Sequence, residues 1–369
     1  MGGIYLHIPF CRQACHYCNF HFTTSLRKKG EVVNAMQQEI TWAAAQQQFP
    51  VETVYFGGGT PSLLTSEELA SLLETVHNHF DVLPNAEITL ETNPDDINKV
   101  SLNDWYRCGI NRLSIGIQSF FEEDLQWMHR AHNAAQAAEA LALAKAAFDN
   151  ITIDLIYGVP GQSAAKWQQN VDKAVAMNIP HLSCYALTVE PQTPLHKLIR
   201  LQQKNDTDAA QQSEHFTLLM QWMREAGYEH YEISNFAKPG YRSRHNSSYW
   251  QGKPYIGIGP GAHSYNGNVR RWNLSNNQKY IAAIAQHTPH YEQEVLTKEQ
   301  IKNEYIMTSL RTIEGLDLRF FDEKDAAQIL RHAQKRIGLC QLVAENHFLK
   351  LTQQGKFFAD GITVDLMFG

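Results

Sequence analysis

No stretch of this 369-residue chain reaches the ~18 consecutive apolar residues a membrane-spanning helix needs, which leaves peripheral membrane contact only. Basic residues are not in excess either. Lys plus Arg number 32 against 38 Asp plus Glu, a formal charge of −6, so a nucleic-acid polyanion finds no electrostatic footprint. The opening MGGIYLHIPF has no basic segment and carries Pro9, unlike a secretory leader, and Leu6 stands where a myristoylation signal wants Ser or Thr. These absences predict a cytoplasmic protein. Cysteine is scarce: six residues are too few for a disulfide framework. What the chain does have is core material, with 43% hydrophobic and 19% charged residues, which excludes wholesale disorder. Its length suits two domains, or one large barrel with an appendage.

Short β-branched runs alternate with helical patterns up to about residue 190. The runs are Ile4–Ile8, Thr53–Phe56, Ala86–Leu90, Leu113–Ile117, Ile151–Ile156 and Leu182–Leu187. Between them, Val33, Met36 and Ile40 mark one helix face, and Leu69, Leu72, Leu73, Val76 and Phe80 another. Six strands alternating with helices imply right-handed βα units and an α/β fold, a partial (β/α)6 barrel of TIM type. The site then belongs at the C-terminal ends of the strands. After a helix over Asp208–Gly227, residues 228–275 read as extended segments and loops packed on the barrel. A second helical section begins near Lys298, and Phe348–Asp360 with Ile362–Phe368 reads as a β-hairpin turning at Gln353–Gly355. The expected units are a barrel over 1–228, an extended segment over 229–290, and a small α+β winged-helix-like domain over 291–369.

Cys108, Cys184 and Cys340 are scattered, as small buried hydrophobes usually are. Cys11-x3-Cys15-x2-Cys18 is different: three thiols lie directly after the first predicted strand, at the barrel mouth. Zinc would need a fourth ligand, and only His16 and His21 are near. Three thiolates on a compact loop can instead hold three irons of a [4Fe–4S] cluster. The fourth iron stays open to chelate an amino acid's amino and carboxylate groups, as radical S-adenosylmethionine (SAM) chemistry requires.

That motif, with Tyr17 before its last cysteine, resembles the radical SAM superfamily. The blocks YLHIPFC (5–11), YFGGGTPS (55–62), LETNPDD (90–96), RLSIGIQSF (112–120), IDLIYGVPGQ (153–162) and YEISNFA (231–237) resemble its oxygen-independent coproporphyrinogen III oxidase group. The resemblance implies a cluster on Cys11, Cys15 and Cys18, and a loop at Gly58, Gly59 and Thr60 for the methionine amino group. It also implies contacts to SAM amino and ribose groups from Glu91, Gln118 and Asp154. Arg130 is the natural cation for the methionine carboxylate, since guanidinium binds carboxylate in a planar fork. Tyr5 and Ala186 match the remaining contacts on the cofactor and adenine side.

One departure bears on function. The oxidases carry a further cysteine two residues past the third, and here that place holds Phe20; they also have an N-terminal extension before the first strand, whereas this sequence starts at the strand. Both features resemble the shorter heme-chaperone relatives in this group, as does the signature His245-Asn246-Ser247-Ser248-Tyr249-Trp250. An imidazole can ligate heme iron, and Tyr and Trp can cover a porphyrin face. His245 is therefore the expected heme-binding residue, with His263 and His7 as alternatives. Two functions follow from the resemblance. The first is a chaperone that carries heme to client hemoproteins such as respiratory cytochromes. The second is a radical SAM coproporphyrinogen III oxidase of porphyrin biosynthesis.

Overall fold

A computed structural model describes the whole chain, Met1–Gly369. Six parallel strands form its centre: β1 (Gly2–Ile8), β2 (Val51–Gly58), β3 (Val82–Thr92), β4 (Arg112–Gln118), β5 (Ile151–Tyr157) and β6 (His181–Ala186). They lie side by side in chain order, joined by helical crossovers. Covered on both faces, they have near-continuous buried runs, which is why they read as apolar stretches.

The segment read as extended stretches and loops adds strands to both edges of this sheet. β7 (Glu229–Glu232) and β8 (Asn235–Ala237) extend it beyond β6. Beyond β1 come β9 (Tyr255–Ile258), β10 (His263–Tyr265), β11 (Val269–Asn273) and β12 (Tyr291–Val295), making twelve strands in all. The sheet thus runs past residue 290. Buried Glu39 ties this extension to the first crossover helix, accepting from the Gly259 amide (2.7 Å) and Asn273 Nδ2 (2.7 Å). Residues 244–250 are helical rather than extended. Ser243 Oγ caps the helix at the Asn246 amide, and two turns are too short to show a period in sequence.

The C-terminal unit has its own core, which includes Ile306, Leu316, Ile329, Leu349 and Ile362. Its sheet holds β13 (Leu316–Asp317), β14 (Leu342–Glu345) and β15 (Phe348–Leu351), and with the helices around them this is the winged-helix-like arrangement expected. The hairpin falls earlier than the sequence reading. It turns at Asn346 and His347, both at positive φ (47° and 69°), as a two-residue hairpin turn demands. Residues 359–366 form a helix, burying Ala359, Ile362, Thr363 and Leu366 at helical spacing. Of the scattered cysteines, Cys184 is buried and Cys108 half-buried, but Cys340 is exposed, contrary to expectation.

Candidate functional site

The cysteine loop is closed by main-chain bonds: the Cys11 amide donates to Thr23 O (3.0 Å) and the Thr23 amide to Pro9 O (2.9 Å). The end of β2 presses against its start. The Gly59 amide donates to Ile8 O (2.9 Å) and the Thr60 amide to Phe10 O (2.7 Å). A Cβ at Gly59 would lie 2.7 Å from the Phe10 carbonyl oxygen, so only glycine permits this approach. The far side of the loop is pinned by Gln13 Nε2 donating to His129 O (2.9 Å) and by His16 stacked on His129 at 4.5 Å.

Inside the strand ends lies a cavity of about 420 Å³. It gathers Cys11, Cys15, Cys18, Tyr17, Gly58, Gly59, Thr60, Glu91, Gln118, Arg130, Asp154 and Ala186 on one wall or another. The thiols are free, and Thr60 Oγ1 donates to Cys11 Sγ (3.5 Å). No three His, Cys, Asp or Glu side chains converge on a point one ion could occupy. The three thiols line one shared space, which is the donor set a [4Fe–4S] cluster takes, one thiolate to each of three irons. Burial holds the Cys11 thiol up at about 11 and raises Cys18 as well, so metal binding must displace their protons.

Arg130 is no surface arginine. It follows a helix over Glu122–Met128, where His129 at φ 60° turns the chain inward. Its Nη2 donates to Asn93 Oδ1 (2.6 Å) and Gly116 O (2.9 Å), and its Nη1 reaches Cys15 Sγ (3.3 Å). Its Nε is buried without a partner, a donor left over for a ligand. Two carboxyls line the same cavity. Glu91 accepts from Tyr55 OH (2.8 Å) and the Gly58 amide (3.2 Å), and burial pushes its carboxyl up to about 7. Burial likewise pushes Asp154 up to about 6. Gln118 sits at φ 64°, a strained backbone that points to a functional constraint.

Two expected residues are not brought to this cavity. The Tyr5 side chain faces a separate space with His7, bonding His7 Nδ1 at 3.2 Å. His245 opens onto neither cavity. It is buried, with Nδ1 bonded to Thr53 Oγ1 (2.7 Å) and Nε2 to Tyr249 OH (2.8 Å), so both ring nitrogens are spent. Burial holds its pKa down at about 3, which keeps the ring neutral. Its neighbour Asn246 lines the cysteine cavity instead. Sequence reasoning also missed Tyr55, Asn93, Arg112 and Ser183, all in that cavity. The available signal was alternation: Arg112, Ser114, Gly116 and Gln118 on β4, and Thr152, Asp154 and Ile156 on β5, share one face.

A three-thiol loop at the C-terminal ends of six parallel strands is the layout of the radical SAM superfamily, whose family model matches residues 5–174. The chain is 34% identical to the heme chaperone HemW of Bacillus subtilis over 88% of its length and 87% of that protein's. Identity to HemW of Mycobacterium tuberculosis is 35%, over 99% and 94%. Among solved structures, coproporphyrinogen III oxidase (HemN) from Escherichia coli superposes with a TM-score of 0.85 at 21% identity, covering 99% of this chain and 89% of that one. That likeness is one of fold. The chain belongs to the HemW family.

Proposed function

We propose that this chain is a cytoplasmic heme chaperone that binds heme and passes it to client hemoproteins, respiratory cytochromes among them. The observation that carries this reading is the family match over nearly the whole chain, to proteins described as heme chaperones. Phe20 adds to it, because an exposed phenyl ring stands where the oxidases have a further thiol. Cys11, Cys15 and Cys18 would hold a [4Fe–4S] cluster, and the rest of the cavity a molecule of SAM. When bound, such a cluster supplies one-electron chemistry to a sulfonium ligand.

The chain's own residues do the rest. The Arg130 guanidinium and its free Nε meet a carboxylate, while Gly58, Gly59 and Thr60 present main-chain groups to an amino group. Glu91, Gln118 and Asp154 offer acceptors to amino and ribose groups, and Tyr17 and Ala186 close the walls. Residues Glu91 and Asp154, held up by burial, ionise most readily beside a cation.

The test is anaerobic reconstitution followed by two assays on one sample: transfer of hemin to apomyoglobin, and consumption of coproporphyrinogen III with SAM and reductant. Heme transfer without porphyrinogen turnover is expected. Robust turnover would instead establish the oxidase activity.

A further inference from the structure

The cavity that gathers the three thiols runs down inside the barrel as far as Arg112, so its lining carries two guanidiniums. Arg130 belongs to the upper level, bonded to Cys15 Sγ and to Gly116 O near the end of β4. Arg112 opens β4, and roughly 20 Å of strand separates it from Gln118 at the other end. Beside it at this inner level stand Ser114, Thr152 and Ser183, from β4, β5 and β6. One amino-acid carboxylate held by Arg130 leaves the lower guanidinium unanswered.

Arg112 is 1% exposed, and a charge so buried needs a counter-ion and partners for its N–H donors. The protein supplies few. Its Nη2 donates to Thr152 Oγ1, while its Nε has no hydrogen-bond partner. Glu87 is the one carboxylate in ion-pairing range, and its Oε2 stands 3.9 Å from that Nε, too far for a hydrogen bond. Glu87 is also engaged elsewhere, accepting from the amides of Arg244 (3.2 Å) and His245 (3.0 Å). Glu91 and Asp154 share the cavity but make no ion pair with Arg112, and burial holds both up toward the neutral form. The same level of the sheet is short of partners on either side. Thr89 Oγ1, opposite Arg112 on β3, and His181 Nδ1, opposite Thr152 on β6, are buried and have none.

We propose that the inner end of this cavity is a second ligand site, which takes the carboxylate of a small organic acid on Arg112, apart from the SAM carboxylate on Arg130. A planar carboxylate suits the fork of Nε and a neighbouring Nη, and the Ser114 hydroxyl can donate to its second oxygen. About 420 Å³ serves the whole cavity, thiol loop included, which limits the acid to a few carbons. A neutral guest would leave the buried charge uncompensated. The site goes beyond the chaperone reading, since it needs only the barrel interior.

Saturation-transfer NMR on the full chain, reconstituted and saturated with SAM, tests this with sodium acetate as the probe and acetamide as its neutral counterpart. Acetate should receive saturation and acetamide should not. Arg112→Gln should weaken acetate binding on the order of tenfold or more, as loss of a charge-assisted pair does, with SAM still bound. Ser114→Leu keeps the charge and fills the inner end, so it should block acetate too, and it decides the matter if Arg112→Gln does not fold. Acetate bound equally well by either variant and the unmodified chain would overturn the site, as would acetamide binding like acetate. If the unmodified chain takes up no SAM, the SAM reading falls by itself. The second site is then read on the SAM-free chain: acetate lost in Arg112→Gln but kept in Arg130→Ala supports it, and the reverse overturns it.

Discussion

The Nδ1 of His245 lies 2.7 Å from the Oγ1 of Thr53, joining the short 244–250 helix to the second barrel strand. The helix start is anchored again by Glu87, which accepts from the amides of Arg244 (3.2 Å) and His245 (3.0 Å). Tyr55 stacks on the same imidazole at 4.8 Å. A histidine so placed braces chain segments almost 200 residues apart.

His245→Ala should therefore cost stability, about 2–4 kcal/mol from the emptied space and the unpaired Thr53 and Tyr249 hydroxyls. Urea unfolding of the unmodified and variant chains measures it. A midpoint that does not move would contradict the bracing role. The pH dependence has a definite sign. With a folded pKa near 3, well below the usual histidine value, His245 binds a proton more readily when unfolded. The stability it provides is present above about pH 6.5 and is lost as pH falls toward 3. His245→Ala should consequently flatten the acid limb of stability against pH.

Reconstitution should load about four irons per chain with charge-transfer absorption. Replacing Cys11, Cys15 and Cys18 together with Ser should abolish both, while Cys108→Ser, Cys184→Ser and Cys340→Ser should each leave iron content unchanged. Iron and absorbance surviving the triple change would remove the cluster from this loop.

Arg130→Ala should weaken SAM binding to the reconstituted chain by about 2 kcal/mol, more than an exposed ion pair provides. Arg130→Lys should not restore it, because one ammonium cannot serve Asn93, Gly116 and a ligand carboxylate from the same positions. Calorimetry decides between a binding arginine and one that merely props the cysteine loop, since a prop would lower cluster loading at unchanged SAM affinity.

The six central strands were legible because strands buried on both faces are continuous apolar runs, such as Leu113–Ile117. The thiol loop was legible from spacing alone. Less visible was which polar residues turn inward, since Arg112 and Thr152 read as interruptions of an apolar run until the sheet curls their shared face onto one cavity. The 244–250 helix was hidden by its brevity, and the fate of His245 by partners 192 residues back and four residues ahead. Motif spacing identifies a residue's company in the chain but says nothing of which nitrogen is already taken. The edge strands β9–β12 were missed for a related reason: they are short, and the one that joins them to the barrel, β9, pairs with β1 at the other end of the chain.

Glu91 gives the last prediction. Its carboxyl is held up at about 7 by burial, so at pH 6.5 much of it is protonated in the ligand-free chain. A ligand bearing ammonium and sulfonium charge favours the ionised form and lowers that pKa. Binding SAM at pH 6.5 should then release protons, roughly half to one per chain, and affinity should decline as pH falls below 7. Asp154, held up at about 6, adds to the same trend at lower pH. Calorimetry of the reconstituted chain in two buffers with different ionisation enthalpies reads the release directly. Glu91→Gln should diminish it, leaving the smaller part due to Asp154. Heats that are the same in both buffers would place the positive groups of the ligand away from this carboxylate, and so away from the end of the third strand.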